Sequence, residues 1–367
     1  MSALEKGEPL HETAPTTADG ILPQDWCRAA ARGPRLQAPE AITVRRQEES
    51  DGRSWKAFLA SSSNGTLFHS LDFLAYHSRG PFEVHHLMFE RPGKLLALLP
   101  AAIVSDPRGR VLKSPYGASV GGFVLPPRVN AATMLRLVGA LQRHASAAGL
   151  AGVELRLGPA LYDTFPNDQL SFALMASGFT LACRWLTHVI SLPASPLDVA
   201  SQLVTKRRRN YIRRAVVQGL DVATVGPEYL PAFYRILVHN RAKHGARPTH
   251  SLADLQRIFE LTPDRVRLFA CSWRDEMIAG ALVFELNPRV AYLFYLCHDD
   301  RFTTLRAATV VTLRVAQHYS GRGVRYLDMG PTTFDDLLMN EGLARFKEEM
   351  GAVGFCRDAW RWECSAR

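Results

Sequence analysis

A run of cationic side chains is the first feature of the sequence that could do chemistry. Residues 205–219, TKRRRNYIRRAVVQG, hold six basic side chains and no acidic one. At about 100° per residue, a helix would place Lys206, Arg209 and Arg213 on one stripe. Like charges at helical spacing repel each other, so a bound anion would stabilise the stretch. The run predicts a site for a phosphate-bearing ligand, and a solvated helix face is the alternative.

Three other residues have side chains suited to proton transfer or to charge stabilisation. Lys347, in RFKEE, can stabilise developing negative charge, although the adjacent glutamates also allow a surface ion pair. Asp328 ends a strand-like stretch, YLDMG, where α/β folds place ligands, and a turn carboxylate is the alternative. His298 follows an apolar run and could accept a proton, whereas a lone histidine is more often structural. These three are the candidate catalytic residues.

A second candidate anion site lies at the start of a later helix. In HDDRFTTLRAATVV, Arg301 and Arg306 precede an apolar helical run, whose N-terminus favours negative charge. The loop has no glycine, which makes close approach of a diphosphate to the backbone harder. Tyr295 lies just before this stretch, and Tyr116, in SPYGA, could line a cleft or simply pack in its loop. These four residues complete the candidate ligand-binding set.

Composition limits the class of protein. The 367 residues carry a net charge of +9 and are 47% apolar, which allows two domains with cores and favours an anionic partner. The six cysteines are scattered and no His/Cys spacing suits a metal, so we expect neither disulfides nor a metal site. With no signal sequence and no membrane-spanning run, we expect a cytoplasmic protein without membrane insertion. Residues 1–40 are predicted to be a disordered tail.

The elements that must position these residues are clearest in the second half of the chain. One helix is predicted over 195–217, entered through an S-x-x-D box at Ser195 and stopped by Gly219. A strand, two helices, a three-strand meander, a helix, a strand, a helix and a last strand follow. The predicted strands are 220–225, 265–273, 277–286, 290–297, 324–330 and 352–364, and the helices are 227–245, 251–261, 303–321 and 341–351.

The first half repeats nearly the same order with little shared sequence. Its predicted strands are 41–47, 82–90, 94–104, 152–158 and 179–193, and its helices are 54–62, 70–78, 129–148 and 168–177. Residues 113–126 are expected to be irregular. The repeat predicts an α/β protein made of two copies of one fold, 41–194 and 195–367, joined near Pro193–Pro196.

This order of elements resembles the GNAT fold, and two copies in tandem resemble the Fem family of aminoacyl transferases and their FemAB-like relatives. The resemblance covers about residues 41–364. KRRRNYIRRAVVQGLDV is similar to a family helix with R-x-x-I-R-x-A before a glycine and a strand. YLDMG is similar to a Y-D-x-x-G strand end, GLARFKEEMG to G-L-x-x-F-K-x-x-x-G, and SPYGASVGG more weakly to S-P-Y-G-G. The implied fold is two tandem GNAT-like domains with mixed central sheets flanked by helices.

The resemblance also implies a reaction. Fem enzymes move an aminoacyl group from a charged tRNA to an amine, here of a small molecule or peptide with or without a phosphate. Aminoacyl-tRNA is an activated ester, so no cofactor is needed, and the sequence has no G-x-x-x-x-G-K-[ST] loop for ATP. Lys347 matches the family lysine that is thought to assist transfer. The basic helix would hold the tRNA or a phosphorylated acceptor.

The sequence is also compatible with two other functions. An acyl-CoA-dependent N-acyltransferase of the FemAB-like group would share the fold, although the usual R/Q-x-x-G-x-G/A diphosphate loop is missing. A non-catalytic RNA- or polyanion-binding protein would need only the basic helix. No DNA partner is indicated, and a monomer is plausible because two fused halves already share an interface. Residues 227–261 leave no room for the coiled-coil arm that some Fem enzymes carry.

Overall fold

The described part of the chain begins where the predicted tail ends. The structure, a computed structural model, describes residues 41–77, 82–243, 245–333 and 337–364. The predicted tail, 1–40, lies outside the described residues. Residues Ile42–Arg367 form one unit. Within the described ranges, no helix combines the length and the apolar character needed to cross a membrane.

Helices pack on both sheets of the described chain and bury apolar stripes. In the longest one, Leu137, Leu141 and Ala145 lie four residues apart and are fully buried, as an amphipathic helix requires. The helices are α1 (Gly52–Ser61), α2 (Leu71–Leu74), α3 (Ala131–Ala147), α4 (Gln169–Ala176), α5 (Lys206–Val217), α6 (Leu230–Ala242), α7 (Leu252–Leu261), α8 (Ala307–Tyr319) and α9 (Glu341–Glu349).

The strands form one large sheet and one small one. They are β1 (Thr43–Arg46), β2 (Glu83–Val84), β3 (Leu87–Arg91), β4 (Lys94–Leu99), β5 (Ala102–Asp106), β6 (Gly109–Ser114), β7 (Gly152–Arg156), β8 (Thr180–Ser191), β9 (Asp221–Val225), β10 (Val266–Trp273), β11 (Glu276–Asn287), β12 (Val290–His298), β13 (Tyr326–Pro331) and β14 (Ala352–Glu363). The large sheet has the order β2-β5-β6-β7-β14-β8-β13-β12-β11-β10-β9, and β1-β3-β4 form the small one. The order of elements predicted after residue 220 is confirmed.

The two halves share the large sheet by exchanging their last strands. β8 ends the first half and pairs with β13 of the second half. β14 ends the second half and pairs with β7 of the first half. β8 and β14 also pair with each other, antiparallel, over almost their full lengths. The predicted boundary between residues 194 and 195 stays a prediction, because the sheet is continuous across the two halves.

The predicted helix 195–217 is wrong in its first part. Val199–Leu203 form a π-helical turn, Val204 is extended, and α5 starts only at Lys206. The guanidinium of Arg209 donates to the carbonyl oxygens of Ala200, Ser201 and Val204, at 2.7–3.3 Å. These carbonyls would otherwise need partners from a continuous helix, so the arginine stabilises the break.

Both ends of α5 follow ordinary capping rules. The Thr205 side chain accepts a hydrogen bond from the Arg208 N–H and replaces the predicted cap at Ser195. Gly219 has a φ of +85°, so the predicted glycine stop is confirmed. Ile212 and Ala215 are buried as expected, but Val216 is 46% exposed and does not pack on the domain.

The strands of the first half also differ from the prediction. The predicted strand 94–104 is two strands, β4 and β5, which enter different sheets. Pro100 lies between them and has no N–H to continue a ladder. The predicted strand 82–90 is likewise divided into β2 and β3, and β6 has no counterpart in the prediction.

The parallel strands β12 and β13 separate where α/β folds bind ligands. They pair only between Val290–Tyr292 and Tyr326–Asp328. Beyond these residues β12 continues to His298 and β13 to Pro331. β6 and β7 form the matching parallel pair of the first half. Each half therefore has an opening at the carboxyl ends of two parallel strands.

Candidate active site

Lys347 is buried at the open end of β13. Only 4% of its surface is exposed. Nζ donates to the carbonyl oxygens of Gly330 at 2.7 Å and Pro331 at 3.1 Å. Burial lowers the pKa of Lys347 to about 7, although the nearby Asp328 carboxylate raises it in part. Near neutral pH this amine can therefore both donate and accept a proton.

Asp328 is a fully buried carboxylate held by three donors. It accepts from the Tyr162 hydroxyl at 2.6 Å, from Thr187 Oγ1 at 2.6 Å and from the Gly330 N–H at 2.7 Å. Tyr162 comes from the first half and Thr187 from the exchanged strand β8. The strand exchange therefore positions Asp328, and such charge-assisted bonds are short and strong.

Other buried polar groups, which the sequence reasoning missed, complete this cluster. Arg357 donates to the Tyr292 hydroxyl at 3.3 Å, and its Nε and Nη2 have no hydrogen-bond partner within the described chain. His188 Nδ1 lies 3.1 Å from Thr332 Oγ1. Burial, and then the charge of Lys347, lower the pKa of His188. Phe355 and Ala359, the neighbours of Arg357 on the same strand face, are apolar, and a charged residue between such neighbours is the signal that could have found it.

Arg241, at the end of α6, is a half-buried cation that sequence reasoning also missed. No hydrogen bond or ion pair to its guanidinium is found within the described residues. The guanidinium lies over the Tyr295 ring, 5.8 Å from its centroid. Its charge also contributes to lowering the pKa of Lys347, after burial and the charge of Arg357. An unpaired arginine beside a desolvated lysine favours an anionic ligand at this opening.

Two predicted residues lie in a separate acidic surface cluster. Arg301 forms ion pairs with Asp299 and Glu276, so its charge is already compensated. The Asp299 carboxylate accepts from the Arg301 N–H at 3.0 Å and fills the anion position of the turn. His298 Nε2 lies 3.7 Å from Asp300, and burial lowers the pKa of His298. These ion pairs compete with an external anion for Arg301, and the roles of Arg301 and His298 both stay predictions.

Tyr295 and Tyr116 lie beside a polar chain that joins the two halves. The Tyr295 hydroxyl is 3.1 Å from His250 Nδ1, and His250 Nε2 is 2.9 Å from the Tyr76 hydroxyl. Tyr76 donates to the Gly117 carbonyl at 2.6 Å. Tyr116 precedes Gly117 and packs against neighbouring rings of its own half. Tyr295 thus contacts the opening through Arg241, while Tyr116 lies on the first-half side.

The cations of the basic helix α5 divide into two groups. Arg208 forms an ion pair with Glu349 at 2.6 Å and donates to Thr309 at 3.2 Å. Since Glu349 ends α9, this pair ties the basic helix to the helix that carries Lys347. Arg209 is bound to backbone carbonyls, as described above. The side chains of these two arginines therefore bind other parts of the protein. Arg209 does not project to solvent with Lys206 and Arg213, the other two residues of the predicted stripe.

The outward group supplies an exposed positive surface. Lys206, Arg213 and Arg214 are exposed and have no ion pair within the described chain. Arg306 is also exposed and stacks over the Tyr211 ring, with its guanidinium 5.4 Å from the centroid. The start of α8 therefore extends the same surface, and Lys206, Arg213 and Arg306 stay candidate ligand-binding residues.

The comparisons agree with this architecture. Residues 204–348 match the model of the Acetyltransferase (GNAT) domain family. The solved structure of FemX superimposes with a TM-score of 0.68 at 12% identity, over 88% of this chain and 97% of that one. L-PGS from Bacillus licheniformis gives 0.55 at 12% identity, over 88% and 94%. A tandem GNAT protein from the clavulanic acid biosynthesis pathway, solved without AcCoA, gives 0.51 at 11%, over 89% and 99%. No curated protein sequence matches this chain.

The fold is the tandem GNAT-like fold that the order of elements predicted. Its two halves together superimpose on almost the whole of FemX, in agreement with the Fem-like architecture expected from the sequence. At these identities the likeness establishes the fold. Within the described residues, no group of three or more His, Cys, Asp or Glu could hold a metal ion.

Proposed function

We propose that the protein is an aminoacyltransferase that moves an aminoacyl group from a charged tRNA to the amine of a small molecule or peptide. The observation that carries the proposal is the buried Lys347, next to the fixed Asp328 carboxylate, at the opening between β12 and β13. A desolvated amine with a pKa of about 7 is suited to acyl transfer at neutral pH.

The reaction is a direct displacement at an ester carbonyl. The neutral acceptor amine attacks the carbonyl carbon, a C–N bond forms, and negative charge develops on the carbonyl oxygen. Protonated Lys347 stabilises that charge, which is worth most where water is excluded. The C–O bond to the terminal ribose then breaks, and the proton lost by the amine ends on the departing hydroxyl. The products are an amide and uncharged tRNA, and no other reactant is required.

Two features support tRNA over CoA as the donor. The start of the 300–305 turn, where a GNAT enzyme would bind the CoA diphosphate, is filled by the Asp299 carboxylate. Asp300 adds a second negative charge there. By contrast, the exposed cations Lys206, Arg213, Arg214 and Arg306 form a surface suited to a polyphosphate chain.

An acyl-CoA-dependent N-acyltransferase is the second candidate. The likeness to a tandem GNAT protein solved without AcCoA favours it, since that description names CoA chemistry in the same architecture. The third candidate is a non-catalytic RNA- or polyanion-binding protein. It would bind through the exposed cations and leave Lys347 without a role.

One experiment separates the three candidates. Purified protein is incubated with a panel of primary amines and either radiolabelled aminoacyl-tRNA or radiolabelled acyl-CoA, and label in amide product is counted. We expect transfer from aminoacyl-tRNA that RNase abolishes. Transfer from acyl-CoA alone, unaffected by RNase, would support the second candidate. RNA binding without turnover would support the third.

The site assignment has its own control within this assay. Lys347→Ala should lower kcat by about 10²–10³, the usual cost of removing an oxyanion-stabilising group. Lys94→Ala removes an exposed lysine of β4 and should leave kcat unchanged. Equal rates for Lys347→Ala and the parent protein would contradict the role that we give to Lys347.

A further inference from the structure

A large cavity lies in the first half, at the carboxyl ends of β6 and β7. Its volume is about 1060 Å³, enough for a drug-sized or larger molecule. Tyr326 of β13 and Phe355 of β14 form part of its wall. Tyr326 and Asp328 are two residues apart on one strand, so their side chains share a face of the sheet. Part of the cavity wall therefore lies on the sheet face that carries Asp328.

One residue, Tyr162, belongs both to the cavity wall and to the Asp328–Lys347 cluster. Tyr162 lines the cavity and donates its hydroxyl to Asp328 at 2.6 Å. The carbonyl of Tyr162 is in turn held by Asn287 at 3.2 Å and Arg289 at 2.5 Å. The loop that carries Tyr162 is thus fixed from the second half. A molecule in this cavity would lie directly against the wall of the site.

The cavity presents a carboxylate without a counter-ion. Asp163 lines the cavity and is half-buried, and no ion pair or side-chain hydrogen bond to it is found in the described chain. Burial raises the pKa of Asp163 to about 7, and only Arg289 opposes that effect. Nη2 of Arg289 donates to the carbonyls of Ser63 and Tyr162, its Nε has no hydrogen-bond partner within the described residues, and no ion pair joins it to Asp163. A cationic group beside Asp163 would remove the cost of this desolvated charge.

A neutral histidine and a cation also line the cavity. His69 Nδ1 accepts the Thr66 N–H at 3.1 Å, so the neutral ring carries its proton on Nε2. Burial lowers the pKa of His69 to about 4, with a hydrogen bond to the Gly121 backbone opposing in part, so the ring is neutral. Nε2 is itself buried and is not open to a ligand. The exposed Arg128 adds a cation at the cavity edge.

An ammonium for Asp163 and an oxygen acceptor for Arg128 occur together in amino acids, short peptides and amino sugars. Of the other wall charges, Arg184 and Asp358 form an ion pair with each other at 2.7 Å, and the exposed Asp168 adds a second carboxylate that also favours a cationic ligand. We propose that this cavity binds the amine-bearing acceptor, with Asp163 as the counter-ion of its ammonium group. The identification of the bound amine as the acceptor substrate rests on the proposed function. The binding of an amine in this cavity does not depend on that function.

This assignment places the two substrates on different sides of the cluster. The donor would approach through the opening near Arg241 and the exposed cations of α5. The acceptor would approach along the first-half cavity, with Tyr162 at its inner end. Loss of a proton from the ammonium, which the reaction needs, would then occur beside a carboxylate whose pKa is about 7.

The test is a binding measurement without any donor. Calorimetric titration of wild-type protein with free amino acids, dipeptides and amino sugars is run at pH 6.0 and pH 8.0. We expect one of these classes to bind, about nine-fold more tightly at pH 8.0, because the ionised fraction of a carboxyl with a pKa near 7 rises from about a tenth to nine tenths. Asp163→Asn should weaken binding at pH 8.0 at least about ten-fold and abolish the pH dependence.

Two controls keep the result interpretable. Asp275→Asn changes an exposed carboxyl in the turn between β10 and β11 and should bind as the wild type does. Arg128→Ala should weaken ligands that carry a carboxylate and spare amino sugars without one. Circular dichroism and the Tm of each variant establish that it is folded.

The outcomes separate this inference from the proposed function. The inference would be overturned if no tested amine bound, either in 10-fold excess over the protein or at a ligand concentration of ~10 mM. It would also be overturned if Asp163→Asn bound the ligand as tightly as the wild type. Binding as expected with no transfer from either donor would overturn the proposed function alone. Transfer with an acceptor KM that Asp163→Asn does not change would overturn the inference and leave the function standing.

Discussion

Lys347 and Asp328 are opposite charges in one buried cluster, and the protein treats them differently. The carboxylate receives three hydrogen bonds, which fix its position. The Lys347 amine donates to two carbonyl oxygens and is desolvated. The charges of Arg357 and Arg241 further disfavour its protonated form. The result is a lysine that titrates near neutral pH beside a carboxylate held in place by three donors.

The lowered pKa of Lys347 predicts how stability depends on pH. The unfolded lysine holds its proton up to about pH 10.4, whereas the folded one releases it near pH 7. Between these values the unfolded chain binds more protons, so the free energy of unfolding rises with pH. Urea denaturation at pH 6.5 and pH 9.0 should show this rise, and Lys347→Met should reduce it. An equal rise in the parent and in Lys347→Met would contradict the prediction.

At the scale of elements, signals from neighbouring residues predicted several helix ends, although not the one at Ser195, whereas contacts between distant residues could not be predicted. The Ser251 capping box and the Gly219 stop are set by a few neighbouring residues, and both are confirmed. The break before α5 depends on Arg209 reaching back to three carbonyls, which no local pattern reveals. The pairing of the Arg208 guanidinium with Glu349 joins residues 141 positions apart. The tertiary structure is therefore needed to tell an arginine that is paired within the protein, such as Arg208, from one that is available to a ligand, such as Arg241.

The basic helix offers a test that distinguishes binding cations from structural ones. The double variant Lys206→Ala/Arg213→Ala removes two exposed charges and should weaken tRNA binding, with the salt slope reduced by about 1.4–1.8. Its Tm should not change. Arg143→Ala, in an exposed position of α3, is the matched control for a general loss of positive charge. Filter binding at several salt concentrations measures the slope. An unchanged slope would show that α5 is a solvated helix face that does not bind the tRNA.

Arg209→Ala is expected to behave in the opposite way. Its guanidinium donates to three backbone carbonyls, and hydrogen bonds from charged groups contribute about 1.5–3 kcal/mol each at most. Because the site is partly exposed, we expect the free energy of unfolding to fall by about 1–2 kcal/mol. The salt slope of tRNA binding should stay that of the parent protein. A lower slope with unchanged stability would make Arg209 a binding residue after all.

At the scale of the molecule, the exchange of β8 and β14 explains why the site needs both halves. Asp328 is bonded to Thr187 of β8 and to Tyr162, and Arg357 enters the cluster on β14. Two GNAT-like repeats could be recognised from the order of elements in the sequence. Their exchange could not, because β8 and β14 each have the same apolar pattern whichever neighbour they join. A site built across exchanged strands is thus invisible until the strand order is known.

The same exchange predicts that neither half folds alone. A fragment of residues 195–367 lacks β8, so β13 and β14 lose the strand that lies between them. Their apolar faces and backbone groups would then be exposed, and the fragment should show no cooperative thermal unfolding by circular dichroism. A fragment of residues 41–194 loses β14 from between β7 and β8 and should behave in the same way. Refolding the two fragments together should restore one cooperative transition near that of residues 41–367. Cooperative unfolding of either fragment alone would show that the halves are independent domains, and Tyr162 would then be free to leave Asp328 when they separate.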